Sequence, residues 1–449
     1  MEIYTLTTKF CNKPVWFLFL SLCGLAFFTH HSFFLLYNQP FDTNMAKGFD
    51  TEHFDQCVGR YIYVHDLPSK FNVDFLKNCS ARFRWSEQCD FLSNFGLGLE
   101  TTDSGDILQN RSWYATYQFV LEIIFHSRMK MYKCLTNESA LASAIFVPFY
   151  PGLDLLRYLR DDPDFKRDSN SIELVKWLTS KKEWKRMQGQ DHFFVSGRTT
   201  WDFHRLGDNQ SGWGNVLLEL SETKNMTILV PESKRWSKNE YAIPYPTYFH
   251  PSRDSEVFQW QSKVKKAKRP YLYAFVGASR PKSEQSIRSM IIDQCLVSGE
   301  YCNFYNCRVK NCKNPVNVIS MLQRSKFCLQ PSGDTATRRS TFDSILAGCI
   351  PVFFNPKSAY IQYKWHLPQN YSRYSVYIPE EKVRQEPESI ERILKGISRS
   401  QVRSMREEVI GLIPRIIYAD PRSSLDTLED AFDIAVRGVL ERVDRIRKK

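Results

Sequence analysis

The segment 326–354 constrains the fold of this chain most, because it predicts a complete strand–loop–helix–strand unit. It begins with the apolar run Lys326–Leu329 and passes through a polar loop into Arg338–Ala347, whose apolar residues fall on one helical face. Gly348 ends that helix, and Ile350–Phe354 has the composition of a second buried strand. Such a unit predicts an α/β fold with a parallel sheet.

The loop and the first helical turn of this unit suit a diphosphate. Helix N-terminal N–H groups, hydroxyls and guanidinium groups all bind phosphate oxygens. Asp343, one turn into the helix, is placed to accept hydrogen bonds from ribose hydroxyls. The alternative is an ordinary strand–helix–strand unit with a solvated basic turn. The residues expected to bind the diphosphate here are Ser332, Gly333, Asp334, Thr335, Arg338, Arg339 and Ser340.

Strands and helices alternate along the chain, which predicts α/β layers, and roughly 390 residues after the N-terminal segment suit two domains. The polar, proline-bearing segment Tyr241–Lys268 is the expected connection between them. Further strands are expected at Tyr61–His65, Ala144–Phe149, His192–Val195, Met226–Val230 and Tyr271–Val276. Helices are expected at Ala115–Leu135, Glu173–Met187, Ser286–Leu296, Ser389–Gly396, Gln401–Ile416 and Leu425–Ile446, the last three packing across both domains.

A second polar loop follows the first strand of the second domain. Open α/β sheets bind ligands at the carboxyl ends of their strands, so we expect Gly277, Ser279 and Arg280 to face the arginines at 338 and 339 across one site. Three arginines would neutralise the charge that develops on a departing nucleoside diphosphate. The alternative is that Arg280 is a solvated loop residue.

Polar groups also end predicted strands of the first domain, where a carboxylate can serve as general base for an acceptor hydroxyl. Asp202 is the preferred candidate and Asp66 the second. Either is alternatively a hydrogen-bonding or capping residue, and Asp66 precedes a Leu-Pro pair where it would fix a turn. Trp201 and Phe203 stack on a sugar ring or belong to the core. Other polar residues in such positions are His65, Tyr150, Asp154, Arg198, His204, Glu232 and Glu240.

The N-terminal segment Val15–Tyr37 lacks Asp, Glu, Lys and Arg and is long enough to span a bilayer of ~30 Å. Lys9 and Lys13 precede it, so the positive-inside rule predicts a cytoplasmic tail at 1–14, a transmembrane signal anchor at 15–37 and a lumenal stem at 38–56. A cleaved signal peptide is the alternative.

Sequons and cysteines support a lumenal body. Four cysteines between residues 295 and 312 lack the paired spacing of zinc sites, so two local disulfides are expected, with the pairing open. Cys328 and Cys349, in the two strands of the segment 326–354, are expected to be buried thiols. The N-glycosylation sequons are at Asn78, Asn110, Asn137, Asn209, Asn225 and Asn370.

The formal charge is +12 and the isoelectric point is near 9.0. A basic balance of this size fits nucleic acid, anionic small molecules or a membrane surface. A lumenal protein does not meet nucleic acid, so anionic small substrates and membrane surfaces are the expected partners.

Four long stretches resemble the plant branch of the exostosin-like glycosyltransferases, family 47, and most closely its xyloglucan galactosyltransferase clade. The resemblance extends from about Cys57 to the C-terminus. The stretches are GRYIYVHDLPSKFN at 59–72, QDHFFVSGRTTWDF at 190–203, AIPYPTYFHPSRDSEVFQWQ at 242–261 and FCLQPSGDTATRRSTFDSILAGCIPVFF at 327–354.

The resemblance implies the GT-B architecture, in which two Rossmann-like domains face each other across a cleft, here preceded by a single N-terminal transmembrane helix. It implies an acceptor domain at 57–250, a UDP-sugar domain at 251–388 and C-terminal helices at 389–449. The expected location is the Golgi membrane, in a single-pass type II orientation with the catalytic domain in the lumen.

The resemblance also implies an inverting transfer of galactose from UDP-galactose to xylosyl side chains of xyloglucan. Asp343 occupies the position of a ribose-binding Glu in exostosin relatives and is one methylene shorter. No metal or other cofactor is expected, because arginines and a helix N-terminus replace the ion. Ser332 stands where the clade usually has Pro, and Ala336 where it has a Tyr-like residue, which puts the sugar choice in doubt.

Two alternatives stay open. One is a family 47 transferase with another donor, UDP-galacturonic acid or UDP-arabinose, or another wall acceptor. The other is a non-catalytic Golgi scaffold or lectin, against which the arginines and Asp343 argue, since a lectin needs no diphosphate site. Complexes with other Golgi glycosyltransferases are a further expectation.

Overall fold

The computed structural model describes residues 55–77, 79, 87–102, 107–158, 162–205, 212–279, 286–386 and 389–449. The predicted cytoplasmic tail, signal anchor and nearly all of the stem lie outside these residues, as do Asn78, Asn209 and Arg280. In the described ranges, no helix combines the length and the apolar character needed to cross a bilayer.

The N-domain is built on a parallel five-stranded sheet in the order β1-β2-β3-β4-β5. The apolar residues of β2, β3 and β4 are buried on both faces, as in parallel sheets covered by helices. Its strands are β1 Ile62–Val64, β2 Ala144–Phe146, β3 His192–Val195, β4 Thr227–Val230 and β5 Glu240–Ala242. Its helices are α1 Val73–Leu76, α2 Glu87–Gly96, α3 Leu121–Met129, α4 Pro151–Leu156, α5 Asp164–Thr179 and α6 Lys182–Met187.

The C-domain holds a second parallel sheet, in the order β10-β9-β8-β6-β7. The chain leaves β6 toward β7 on one side and β8 toward β9 on the other, so β6 and β8 flank a topological switch point, where open α/β sheets bind ligands. The strands are β6 Tyr271–Gly277, β7 Cys302–Asn306, β8 Ser325–Gln330, β9 Ile350–Phe353 and β10 Val376–Tyr377. The helices are α7 Asp254–Lys266, α8 Ile287–Val297, α9 Pro315–Gln323, α10 Arg339–Leu346 and α11 Glu380–Gln385.

The C-terminal helices pack on both domains, as their periodic pattern predicted. α13 and α14 belong to the hydrophobic core of the C-domain, whereas α15 returns to the N-domain, where Phe432 packs on Phe125 with 4.7 Å between ring centroids. Asp430 caps α15, so this helix begins at Ala431 rather than at Leu425 as predicted. The helices are α12 Ser389–Lys395, α13 Arg399–Gly411, α14 Ile413–Ile416 and α15 Ala431–Arg447.

The structure corrects the bounds of a predicted helix and the internal structure of a predicted connection. The predicted helix Ala115–Leu135 is shortened to α3, because the hydroxyl of Thr116 donates to the Leu97 carbonyl at 2.7 Å and holds residues 115–119 as a non-helical segment. The segment Tyr241–Lys268, predicted to connect the two domains, does lead from the N-domain to the C-domain, but it includes the end of β5 and all of α7 as regular elements. The buried Val257, Trp260 and Val264 of α7 anchor it in the C-domain core, a helical periodicity that the surrounding polar residues concealed.

Disulfides confirm one cysteine prediction and correct another. Cys295 pairs with Cys302 and Cys307 with Cys312, which are the two expected local bridges. Cys328 and Cys349 are not free thiols but form a disulfide between β8 and the residue that precedes β9. The sequence could not show this bond, because it depends on which strands are neighbours in the sheet. Further bridges join Cys57 to Cys134 and Cys79 to Cys89.

Candidate active site

A cavity of about 780 Å³ lies where the two domains meet. Most of the residues that line it follow the carboxyl ends of β3 and β5 in the N-domain and of β6, β7 and β8 in the C-domain, and residues 115–119 before α3 complete the lining together with Phe91 of α2. The ligand-binding edges of both parallel sheets therefore open into one space. Among the residues predicted to bind a donor, those that line the cavity are Gly277, Gly333, Asp334, Thr335, Arg338, Arg339, Ser340 and Asp343.

The N-terminus of α10 contributes to the C-domain wall of this cavity. Arg338 is extended, the helix begins at Arg339, and no side chain caps its first N–H groups. Arg338, Arg339 and Ser340 all line the cavity. Such a helix N-terminus, with Arg338 and Arg339 beside it, has the features that favour an anion.

Two guanidinium groups converge on Gly333. A Cβ atom at Gly333 would lie 2.4 Å from Nη1 of Arg338 and 2.9 Å from Nη2 of Arg288, so a side chain here would displace both guanidinium groups from their present positions. Arg288 lies in the first turn of α8, lines the cavity and donates to the carbonyl of Ala278 at 3.3 Å. The sequence reasoning missed Arg288. The available signal in the sequence was that Arg288 lies in the first turn of the helix that follows β6.

Two other predicted donor residues do not line the cavity. Ser279 follows Ala278 at the edge of the site and is half-buried. The hydroxyl oxygen of Ser332 is buried and has no hydrogen-bond partner among the described residues.

Arg339 and Asp343 form a buried polar pair at the cavity. Nε of Arg339 lies 3.4 Å from Oδ2 of Asp343, and the guanidinium stacks over Tyr248 at 3.6 Å and donates to the carbonyl of Thr116 across the domain interface. Burial raises the pKa of Asp343 to about 6, with Arg339 opposing the shift. Oδ1 of Asp343 and Nη2 of Arg339 are buried and find no partner in the described part of the chain.

The N-domain wall carries the preferred candidate base. Asp202 is buried, and its two carboxylate oxygens accept from Nε of Arg198 at 2.5 Å and from Nε1 of Trp213 at 2.7 Å. Arg198, Asp202 and Trp213 line the cavity. Trp201 also lines it and is 69% exposed, whereas Phe203 is buried in the N-domain core. Trp201 is therefore available to stack on a sugar ring, whereas Phe203 is a core residue.

A buried glutamate holds the loop that carries Asp202. The carboxylate of Glu122 accepts from the backbone N–H of Gly197 at 2.8 Å, of Gly152 at 3.0 Å and of Leu153 at 2.8 Å. Burial raises its pKa to about 7, and these N–H bonds oppose that shift. The shortened α3 therefore fixes one cavity loop directly, while the residues 115–119 that precede it line the cavity themselves.

Asp66 does not belong to this cavity. It is exposed beyond the end of β1 and does not line the space that contains Asp202.

Within the described ranges, no group of three or more His, Cys, Asp or Glu side chains is arranged to hold a metal ion. The four described sequon asparagines are exposed: Asn110, Asn137, Asn225 and Asn370.

Comparison with known proteins places most of the chain in one family. The model of the exostosin GT47 domain matches residues 56–394. The chain is 53% identical over 398 residues to the Arabidopsis thaliana protein named xyloglucan galactosyltransferase MUR3, covering 88% of this chain and 64% of that protein. It is 50% identical over 409 residues to the probable xyloglucan galactosyltransferase GT12 of the same plant, covering 90% and 80%.

Solved structures are more distant. A glycosyltransferase from Rickettsia africae is 9% identical, with a TM-score of 0.36 over 73% of this chain and 94% of that one. A score this low carries no argument, so the two-domain architecture rests on the two parallel sheets described above. The family match covers the residues of both sheets and the cavity between them, and the chain belongs to the exostosin GT47 glycosyltransferase family.

Proposed function

We propose that this chain is an inverting galactosyltransferase that moves galactose from UDP-galactose to a xylosyl side chain of xyloglucan, with the two domains arranged as in GT-B enzymes. The observation that carries the proposal is one cavity in which three arginines of the C-domain, Arg288, Arg338 and Arg339, face an aromatic wall from the other domain. The names of the relatives that are about half identical to this chain specify the sugar and the acceptor.

The C-domain wall suits the donor. The diphosphate would bind at the N-terminus of α10 between Arg338 and Arg288, whose charges stabilise the UDP that leaves. Asp343 would accept hydrogen bonds from the ribose hydroxyls through its unpartnered Oδ1. Because these cations neutralise the diphosphate, we propose that no metal ion is needed, and full turnover in EDTA would support this.

The N-domain wall suits the acceptor. Asp202 would take the proton from an acceptor hydroxyl while that oxygen bonds to the anomeric carbon and the bond from this carbon to UDP breaks. One in-line displacement converts an α-linked donor into a β-galactoside. The bonds from Arg198 and Trp213 fix the orientation of the carboxylate, and the exposed ring of Trp201 offers a stacking surface for a sugar.

We also propose a type II Golgi orientation, with the signal anchor at 15–37 and the catalytic unit in the lumen. The five disulfides suit an oxidising compartment, and the four exposed sequon asparagines are accessible to glycosylation. A mobility shift after glycosidase digestion and protection from protease in sealed vesicles would test this. Complexes with other Golgi glycosyltransferases stay a prediction, which co-purification from Golgi membranes would test.

The function is tested by assaying UDP release from the purified full chain with a panel of UDP-sugars, with and without galactose-free xyloglucan oligosaccharides. Acceptor-dependent release from UDP-galactose, with a product heavier by one hexose, is the expected result. Turnover only with UDP-galacturonic acid or UDP-arabinose would replace the donor in the proposal. A chain that neither turns over nor gains thermal stability with UDP would be a scaffold or lectin.

A further inference from the structure

The segment that follows β4 connects the two domains through consecutive residues. The carbonyl of Pro231 accepts from the hydroxyl of Tyr363 at 2.8 Å. Ser233 donates through its backbone N–H and its hydroxyl to Oε1 of Gln362, at 3.1 and 2.9 Å, and accepts from Nε2 of that residue at 3.1 Å. These contacts tie residues 231 and 233 to the C-domain at a distance from the cavity, which neither residue lines.

Glu232, between them, hydrogen-bonds to one segment from each wall of the cavity. Its carboxylate accepts from the backbone N–H of Thr337 at 2.9 Å and from the hydroxyl of the same residue. Thr337 lines the cavity directly before Arg338 at the start of α10. On the opposite side, the backbone carbonyl of Glu232 accepts from the N–H of Thr200 at 3.1 Å. Thr200 begins the one-turn 3₁₀ helix Thr200–Phe203, which carries the candidate base.

From this geometry we infer that Glu232 is a positioning residue. It sets the placement of the loop 331–338 between β8 and α10, the donor loop, relative to the loop that holds Asp202. The inference rests on the proposed function, because it assigns Glu232 a role in the same transfer. Glu232 does not line the cavity, and its hydrogen bonds reach the cavity loops through Thr337 and Thr200. In-line transfer requires the acceptor oxygen and the anomeric carbon to be aligned, and a misplacement of about 1 Å costs about 10²-fold in rate.

The charge of Glu232 argues that its role is specific. A carboxylate beside a helix N-terminus that is meant to receive a diphosphate weakens donor binding by repulsion. A neutral side chain would connect the two domains without this repulsion. Ser233, the next residue, does so through its hydrogen bonds to Gln362. The carboxylate is useful where a strong acceptor must hold both the N–H and the hydroxyl of Thr337.

The test compares Glu232→Ala, Glu232→Gln and the control Ser233→Ala in the full chain. We expect Glu232→Ala to lower kcat for transfer by about 10²-fold, while the thermal shift produced by UDP equals or exceeds that of wild type and the acceptor-independent hydrolysis of UDP-galactose stays within about twofold. Glu232→Gln should recover part of kcat, because an amide oxygen still accepts from Thr337. Ser233→Ala should leave kcat unchanged, since its bonds to Gln362 reach neither cavity loop.

Hydrogen exchange tests the coupling without turnover. In wild type, UDP should slow exchange in residues 333–343 and also in residues 200–203, whereas in Glu232→Ala the protection should stay confined to 333–343. Protection of both segments in the variant would overturn the inference, as would a parallel fall of transfer, hydrolysis and the UDP thermal shift, which marks a merely structural residue. Tighter UDP binding with normal kcat would also overturn it. Wild-type enzyme that binds UDP but transfers no sugar would refute the proposed function alone.

Discussion

The two walls of the cavity differ in how fully their polar groups are satisfied. On the C-domain wall, Oδ1 of Asp343 and Nη2 of Arg339 are buried without a partner in the described residues. On the N-domain wall, both oxygens of Asp202 already accept hydrogen bonds, from Arg198 and Trp213. A buried polar group without a partner costs about 1–3 kcal/mol, and such a group persists where a ligand supplies the missing bond.

This difference indicates two strategies of recognition. The unpartnered polar atoms of the C-domain wall support the proposal that it binds an anionic, hydroxyl-rich ligand, with most of the binding energy coming from charge. The N-domain wall is complete without a ligand and offers aromatic surface, including Trp201 and Phe119. We therefore expect substitutions on the C-domain wall to affect donor binding and departure, and those on the N-domain wall to affect proton transfer and acceptor binding.

The largest expected effect is on the N-domain wall. Asp202→Asn should lower kcat by about 10²–10⁴, because an amide cannot take the acceptor proton. The donor KM should change little, since Asp202 lies on the acceptor side. Asp66→Asn, measured beside it, discriminates the two candidates, because the variant with the greater loss of kcat identifies the base. Full activity in a folded Asp202→Asn enzyme would contradict the assignment.

Next in size is a loss of leaving-group stabilisation on the C-domain wall. Arg338→Ala should lower kcat by about 10²–10³, the effect of removing one preorganised donor from a developing charge. The matched control is Arg403→Ala, an exposed arginine of α13 outside this cavity, which should leave turnover unchanged. Equal kcat in the two variants would show that Arg338 does not stabilise the departing UDP.

The buried carboxyl of Asp343 predicts a pH dependence of donor binding. Asp343→Ala should raise the KM for UDP-galactose by about 10- to 100-fold, with a smaller change in kcat, since a bond to a charged group is worth about 1.5–3 kcal/mol. In wild type the donor KM should rise as the pH falls through about 6, where the folded protein protonates Asp343. The Asp343→Asn enzyme should lack this rise. If its donor KM depended on pH as that of wild type does, contact between Asp343 and the ribose would be excluded.

Protonation of Asp343 also affects stability. Its folded pKa of about 6 lies above the ordinary value of 3.8, so the folded protein binds the proton first. The contribution of this group to the free energy of unfolding is therefore largest below pH 4 and is lost as the pH rises through about 6. Thermal unfolding of wild type and Asp343→Asn between pH 4 and pH 7 would measure the difference.

The smallest expected effect concerns the aromatic surface. Trp201→Ala should raise the acceptor KM by about 2- to 12-fold, which corresponds to the 0.5–1.5 kcal/mol of an aromatic contact, without changing the donor KM. Trp236→Ala is the matched control, because that ring is 81% exposed and does not line the cavity. An unchanged acceptor KM in Trp201→Ala would remove this ring from the acceptor site.

Local pattern predicted the donor loop almost to the residue. β8, α10 and β9 occupy Ser325–Gln330, Arg339–Leu346 and Ile350–Phe353, close to the expected bounds, because apolar periodicity and a glycine stop act within a few residues. Gly348 has a φ of +63°, where other residues are strained. The non-helical segment 115–119 escaped prediction because a contact distant in sequence, from Thr116 to Leu97, overrides its helical pattern.

The sequence by itself determined the family, the α/β alternation and the chemistry of the donor loop, since these depend on residue types at short, fixed spacings. Only the tertiary structure decided that Arg288 joins Arg338 over Gly333, that Glu122 holds the loop at Gly197, and that Glu232 bonds to both cavity loops. These contacts bring together segments that are distant in sequence or join separate domains. Their geometry follows from strand order and domain packing, which no local period encodes.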